Sequence, residues 1–352
     1  MAIDNLFDKL NEDRISRRTV LKIGVATGVG LAGLAAAGCT SPAGPTATPL
    51  PSATPLPALT NGGGYLQSDH QAAIFIGKAK GFFAKYGVDI NITKFNAGPA
   101  VMQQLTGGTL DLGFAGVPPI ISAVDKDPTV KIVAALQGNG SGIIVGNDSG
   151  ITKVTDLKGK RIAVPSVGSI QDIMLRQLLA NNNIDYSKDV TVSAVAAGQQ
   201  PTALSAGSID AGVTWEPYVT QTAMKNLGKV LIRSDQITPD HPCCAVATTT
   251  SIIQRFPDTL KAFFKGLKEA TDFVLTNPQE TAQIISGTEY LGGEAAIEAA
   301  SLPNMRFLAK PDEVFISGTE KFAQEMKKLA VTTNDHDRND LFDLTLINQA
   351  LL

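Results

Sequence analysis

Charge of one sign is what this 352-residue chain lacks: 30 Lys and Arg stand against 33 Asp and Glu, with no long basic run beyond the first residues. That balance excludes a nucleic-acid partner, which calls for a basic patch or stripe. Aromatics make up 6% of the residues, too few for a sugar-binding cleft paved with rings. The only histidines are His70, His241 and His336, and none belongs to a nucleophile–histidine–acid set, so no catalytic residues are expected and the chain does not read as an enzyme. His241, next to Pro242 and Cys243, is a weak metal motif without a clear third ligand, and no metal or cofactor is expected. The apolar run from Ile23 to Ala37 falls short of the roughly 20 residues that a membrane span needs.

That short run belongs instead to an export signal over residues 1–38. Arg17 and Arg18, between Ser16 and Thr19, match a twin-arginine pattern, and Ala36, Ala37 and Gly38 precede Cys39 as in a bacterial lipoprotein processing site. Cys39 is the expected lipidation point; an uncleaved amino-terminal anchor is the other reading. Residues 39–61 hold Pro42, Pro45, Pro49, Pro51, Pro55 and Pro57 among Thr, Ser and Ala. No core forms from that composition, so the segment reads as a semi-rigid extended tether. A lipid followed by a spacer places the domain at the outer face of the cytoplasmic membrane.

The most telling positive feature is an echo. The segment Leu105–Pro118, with Gly108, Leu110, Asp111 and Gly113, returns as Leu204–Pro217, with Gly207, Ile209, Asp210 and Gly212. Each copy reads as a helix end, a glycine stop, a short strand and a new helix opened by Pro. Duplication and recurrent turn grammar both account for it, and both give two α/β units. The intervening chain alternates strand and helix, with strands expected at Gly64–Leu66, Val88–Ile92, Leu110–Phe114, Val130–Leu136, Ile162–Val164, Val190–Val195, Ala211–Thr214 and Val230–Ile232. After Ala245–Thr249 only helices are expected, packing back on the first unit.

Several stretches then converge in order. Lys80, Gly81, Phe82 and Phe83 followed by Gly87, the two Gly–Leu/Ile–Asp echoes, the run Asp156–Val164, and Trp215, Glu216, Pro217 and Tyr218 together resemble the substrate-binding proteins of ABC importers, in the nitrate/sulfonate/taurine branch that also holds binders of thiamine-pyrimidine precursors. The resemblance implies an α/β, two-lobed type II periplasmic binding protein, each lobe a mostly parallel sheet flanked by helices. Lobe I is expected over 62–142 and 246–352, and lobe II over 143–245. It also implies a monomer that captures a small solute and presents it to an ABC permease and its ATPase, with the membrane reached through the lipid on Cys39. A thiamine-pyrimidine-synthase-like enzyme and a ligand-sensing module are the alternatives; the former would need a histidine in the loop that here reads Val117, Pro118, Pro119.

In that family the pocket is built from loops at strand ends. The residues expected to hold ligand are therefore Asp69, His70, Gly98, Gly116, Val117, Ser141, Gly168, Ser169, Gln171, Trp215, Glu216 and Cys243. Small residues let backbone N–H groups approach an oxyanion. Asp69 and Glu216, with no Lys or Arg in these loops, favour a ligand carrying an amine or ring nitrogen, while helix capping is the competing role for both carboxylates. Cys243 and Cys244 are either bridged, at the cost of strain, or two buried thiols, or a metal-binding or reactive pair.

Overall fold

The computed structural model describes residues 56–352. The signal, Cys39 and most of the tether lie outside the described residues. Among the described residues no helix is long and apolar enough to cross a membrane.

Two sheets divide the chain. The first holds β1 (Gly63–Leu66), β2 (Ile92–Phe95), β3 (Leu112–Gly116), β4 (Val130–Asn139), β10 (Pro242–Thr249) and β11 (Met305–Phe307), in the order β11-β4-β10-β3-β1-β2. The second holds β5 (Ser141–Val145), β6 (Arg161–Val164), β7 (Thr191–Ala194), β8 (Ala211–Trp215) and β9 (Lys229–Arg233), in the order β7-β6-β8-β5-β9. Only Gly140 separates β4 from β5, so the chain changes sheet there; it returns between β9 and β10. The architecture is the two-lobed α/β fold expected from the sequence.

Both sheets are mixed, where a mostly parallel pairing was expected. β1 runs parallel to β2 and β3, and β6 runs parallel to β7 and β8. β10 is antiparallel to both β3 and β4, and β5 is antiparallel to both β8 and β9. β11 is antiparallel to β4 as well. β5 and β10 are the antiparallel strands through which the chain crosses, since a chain arriving from the other lobe enters the sheet at the opposite end. The expected strand Val88–Ile92 pairs only from Ile92 onward. Val88 and Ile90 are buried, so their alternation reports side-chain burial along an extended segment that is not yet in the ladder. The helices-only tail contains β11, whose three residues are too few to show a period.

The echoed segments do the same job in each lobe. Gly108 and Gly207 sit just past helix ends with φ of 73° and 65°, the left-handed geometry that glycine takes without strain. Asp111 Oδ2 accepts the backbone N–H of Asn61 at 2.8 Å, just before β1. Asp210 Oδ2 accepts that of Arg161, the first residue of β6, at 2.8 Å. Each aspartate thus ties its own strand to the start of the parallel neighbour. The larger core lies around the first sheet, where Phe83, Phe114 and Phe263 stack. Ile170, Ile173 and Met174, from the helix Ile170–Asn181 of the second lobe, pack into that same core, so the lobes are closed on each other.

Candidate functional site

In an open α/β sheet, ligand crevices form beyond the carboxyl ends of the parallel strands. Here those ends face one another across the two lobes. β1 delivers Ser68, His70 and Gln71; β2 delivers Ala97 and Gly98; β3 delivers Gly116. From the other lobe, β6 delivers Ser166, Ser169 and Gln171, and β8 delivers Trp215. Because β10 runs antiparallel, its first residues reach the same edge, bringing Cys243 and Cys244. These residues, with Leu66, Pro119 and Ile170, enclose a cavity of about 30 Å³. That is room for roughly two waters, or for a solute of a few heavy atoms.

The wall carries no Lys, Arg, Asp or Glu. It does carry polar atoms that are buried without a protein partner: Nε2 and Oε1 of Gln71, Oγ of Ser166 and Nε1 of Trp215. The amino ends of the helices Gly98–Thr106, Val117–Val124 and Ile170–Asn181 also begin at the wall, the last capped by Ser169, whose Oγ accepts the Asp172 N–H. Helix amino termini carry partial positive charge. The cavity is therefore donor-rich, free of Lys, Arg and carboxylate side chains, and polarised toward an anion.

His70, Gly98, Gly116, Ser169, Gln171, Trp215 and Cys243 thus meet around one space. The other candidates stand outside the wall. Asp69 turns away and accepts the Ser301 hydroxyl. Val117 is buried in the core of the first lobe. Ser141 lies behind Gln171, whose Nε2 donates to its Oγ at 2.9 Å. Gly168 donates its N–H to Asp172 Oδ2 at 2.9 Å and borders a separate surface groove. Glu216 is paired with Arg233 and also accepts from Thr220 and Asn304, each at 2.9 Å. Neither carboxylate reaches the cavity, which removes the sequence-based reason to prefer an amine. Gln71, Ser166 and Cys244 are wall residues absent from the expected set. Gln71 occupies the last position of a 3₁₀ turn, Asp69–Gln71, which turns its amide toward the cavity.

Beneath the wall lies a buried acidic group. Burial, helped by the charges of Asp69 and Glu216, lifts the Glu298 carboxyl to about 9. Burial likewise lifts Asp69 to about 7, with the neighbouring His70 charge pulling it back. The folded protein therefore holds a proton on Glu298 that the unfolded chain releases above 4.5. The folded state binds more protons than the unfolded state over that interval, so its stability falls as pH rises from about 4.5 to about 9. Glu298→Gln is expected to flatten this slope and to raise stability near pH 8 by on the order of 2 kcal/mol. Urea denaturation at several pH values measures it, and an unchanged slope would refute it.

His70 is held between the lobes. Its Nε2–H donates to the Gly140 carbonyl at 2.9 Å, and its Nδ1 faces Cys243 Sγ at 3.5 Å and Cys244 Sγ at 3.7 Å. Burial pushes the imidazole down, but the Cys243 charge and hydrogen bond outweigh it and raise the ring to about 9. For Cys243, burial opposes ionisation, while Cys244 and His70 draw the thiol well below its usual range. The two sulfurs are 3.8 Å apart and unbonded, the buried-thiol alternative of the sequence reading.

The chain is 26% identical over 257 residues to the nitrate/nitrite binding protein NrtA of Nostoc sp., covering 66% of this chain and 58% of that protein. It is 27% identical over 288 residues to a putative aliphatic sulfonates-binding protein of Bacillus subtilis, covering 79% of this chain and 84% of that protein. The chain thus spans little more than half the length of the Nostoc relative. The crystal structure of the periplasmic nitrate-binding protein NrtA from Synechocystis superposes with a TM-score of 0.70 at 21% identity, over 82% of this chain and 87% of that one. The model of the NMT1-like family matches residues 62–287, most of the chain. On that match, over a fold shared with periplasmic binding proteins, the chain belongs to the NMT1-like family.

Proposed function

We propose that the protein is the extracytoplasmic solute-binding component of an ABC importer, trapping a small oxyanion between its lobes and delivering it to the permease. The observation that supports this most is the set of unpartnered buried atoms on the cavity wall, at Gln71, Ser166 and Trp215. Buried polar groups are ordinarily hydrogen-bonded, and each one left alone costs about 1–3 kcal/mol. A solute rich in oxygen satisfies them. With no Lys, Arg or carboxylate on the wall, neutral donors and helix amino termini suit a singly charged anion of the nitrate or bicarbonate class, or the head of a sulfonate. The lipid on Cys39 and the tether of residues 39–61 would keep the domain beside its permease on the outer membrane face, as a monomer with no nucleic-acid partner.

Closure is built into this reading. Ser68 Oγ donates to the Glu216 carbonyl at 3.0 Å and Tyr218 Oη to the Gln67 carbonyl at 3.4 Å, both across the cleft. A solute favours the closed form only through contacts made to both lobes. Gln71 and Trp215 supply one such contact from each side.

Thermal-shift and calorimetric titration with nitrate, bicarbonate, taurine, alkanesulfonates and an aminopyrimidine tests the proposal. Stabilisation by at least one oxyanion is expected, and Trp215→Phe, which removes the Nε1 donor and keeps the ring, should weaken that binding about 10- to 100-fold. A response to the aminopyrimidine alone, or to none of these, overturns the anion reading.

A further inference from the structure

We propose that His70 Nδ1, Cys243 Sγ and Cys244 Sγ form a tetrahedral site for a thiophilic divalent cation of the zinc class, with its fourth position open to the cavity. The three atoms lie within 4.8 Å of one another and all three residues are buried.

The distances discriminate. With Zn–S near 2.3 Å and Zn–N near 2.0–2.1 Å, tetrahedral angles put two sulfurs about 3.8 Å apart and each sulfur about 3.6 Å from the nitrogen. Right angles at the metal would shorten these to about 3.3 and 3.1 Å. The structure has 3.8 Å between the sulfurs, with 3.5 and 3.7 Å to the nitrogen. All three sides of the triangle match the tetrahedral set, and none matches the right-angled one.

Adjacent residues on a strand point to opposite faces, so neighbouring cysteines do not ordinarily converge. Here the pairing of β10 with β4 shifts register between Pro242 and Cys244 and again between Cys244 and Ala245. A bulge of this kind re-aims side chains, and it brings both thiols under the same imidazole. Hydrogen bonding accounts for the triangle incompletely. Two neutral thiols with a neutral Nδ1, or a thiolate with an imidazolium, carry two protons for three edges, so one edge is always unbridged. A cation at the centre bonds all three atoms. Two thiolates also cancel its charge, which suits a wall without other ions.

The ring is already oriented for this. Nε2–H donates to the Gly140 carbonyl at 2.9 Å, the outer hydrogen bond that fixes a ligating histidine with its other nitrogen free. The cysteine pair stands beside a weak metal motif in the sequence, but its histidine partner does not, because His70 and Cys243 are 173 positions apart. His241, adjacent to the cysteines in sequence, hydrogen-bonds the Pro242 carbonyl through Nδ1 at 3.0 Å and is outside the triangle. Three protein ligands and one open position form the arrangement that accepts an outside oxygen donor. Only that last step, a solute oxygen completing the shell, rests on the solute-binding reading.

The test uses metal alone, so it stands or falls apart from solute binding. Full-length protein carrying Cys39→Ser, reduced and stripped with chelator, is titrated anaerobically with zinc(II) against a chromophoric chelator and, separately, with cobalt(II). A single zinc per chain is expected, with about two protons released as Nδ1 and the thiols give up theirs. Cobalt should show thiolate-to-metal charge-transfer bands and the intense d–d bands of a tetrahedral ion. Cys243→Ser, Cys244→Ser and His70→Ala should each weaken binding at least about 100-fold, more than loss of an outer-shell partner does, while His241→Gln retains it. The cobalt spectrum needs no variant, so a misfolded mutant leaves the test intact. Absence of stoichiometric binding, an octahedral cobalt spectrum without charge transfer, or full affinity in both cysteine variants overturns the proposal.

Discussion

Gln71→Leu is expected to melt at a higher temperature than the parent protein and yet to lose solute affinity by about 100- to 1,000-fold. The two effects have one cause. Gln71 is fully buried, and neither its amide nitrogen nor its amide oxygen has a protein partner. Desolvating such atoms without compensation costs about 1–3 kcal/mol, whereas an apolar group of similar shape costs nothing comparable, so the leucine variant should gain on the order of 1 kcal/mol. The solute loses a donor and an acceptor together, and a site that has lost its polar match discriminates by orders of magnitude. Residues kept for binding at the expense of stability show this opposed pair of effects. Calorimetric unfolding and titration on the same preparation decide the matter. If stability and affinity fall together, Gln71 is a structural residue and the cavity is not the solute site.

The parts of this molecule that were legible in the sequence are those set by local chemistry. The glycine stops at Gly108 and Gly207, the prolines opening helices, and the strand–helix alternation all follow from backbone preferences that need only a few neighbours. The aspartates of the two echoes are visible as a repeat, but their partners, Asn61 and Arg161, lie far back along the chain and are brought alongside only by strand pairing. The sheet-edge rule then brought His70, Gly98, Gly116, Ser169, Gln171, Trp215 and Cys243 to one cavity, because that rule depends on topology rather than on side-chain detail. What failed to show depends on direction. Asp69 and His70 are adjacent, yet one faces Ser301 and the other the cleft, and no composition or period separates them. Glu216 reads as a pocket carboxylate in the sequence, whereas in the structure Arg233, 17 residues away, pairs with it. The convergence of Cys243 and Cys244 required a bulge, and register shifts leave no mark on an alternation this short.

Gly140→Ala should be the most damaging single-methyl change in the cleft, destabilising the protein by about 2–4 kcal/mol. Gly140 is the residue at which the chain passes from one sheet to the other, and its φ is 80°. An L side chain in that region costs about 1–2 kcal/mol. Space is the second obstacle: an added Cβ would lie 2.6 Å from Met305 Cγ and 2.7 Å from His70 Nε2. Met305 can yield by rotation, but the His70 ring is pinned, because its Nε2–H bonds the same residue's carbonyl at 2.9 Å. That carbonyl also accepts the Glu216 N–H at 2.9 Å, so it joins the ring from one lobe to the backbone of the other. Displacing it disturbs His70, the cysteine pair and the closing contact together. Gly150→Ala is the matched control: its φ is 70° and nothing lies within 4 Å of the added carbon. Both variants carry the backbone cost, and only Gly140→Ala carries the collision. Urea unfolding of the pair should therefore separate them by at least about 1 kcal/mol, with Gly140→Ala alone losing solute affinity. Equal destabilisation of the two would mean that the crossing yields freely and that Gly140 does not hold His70 in place.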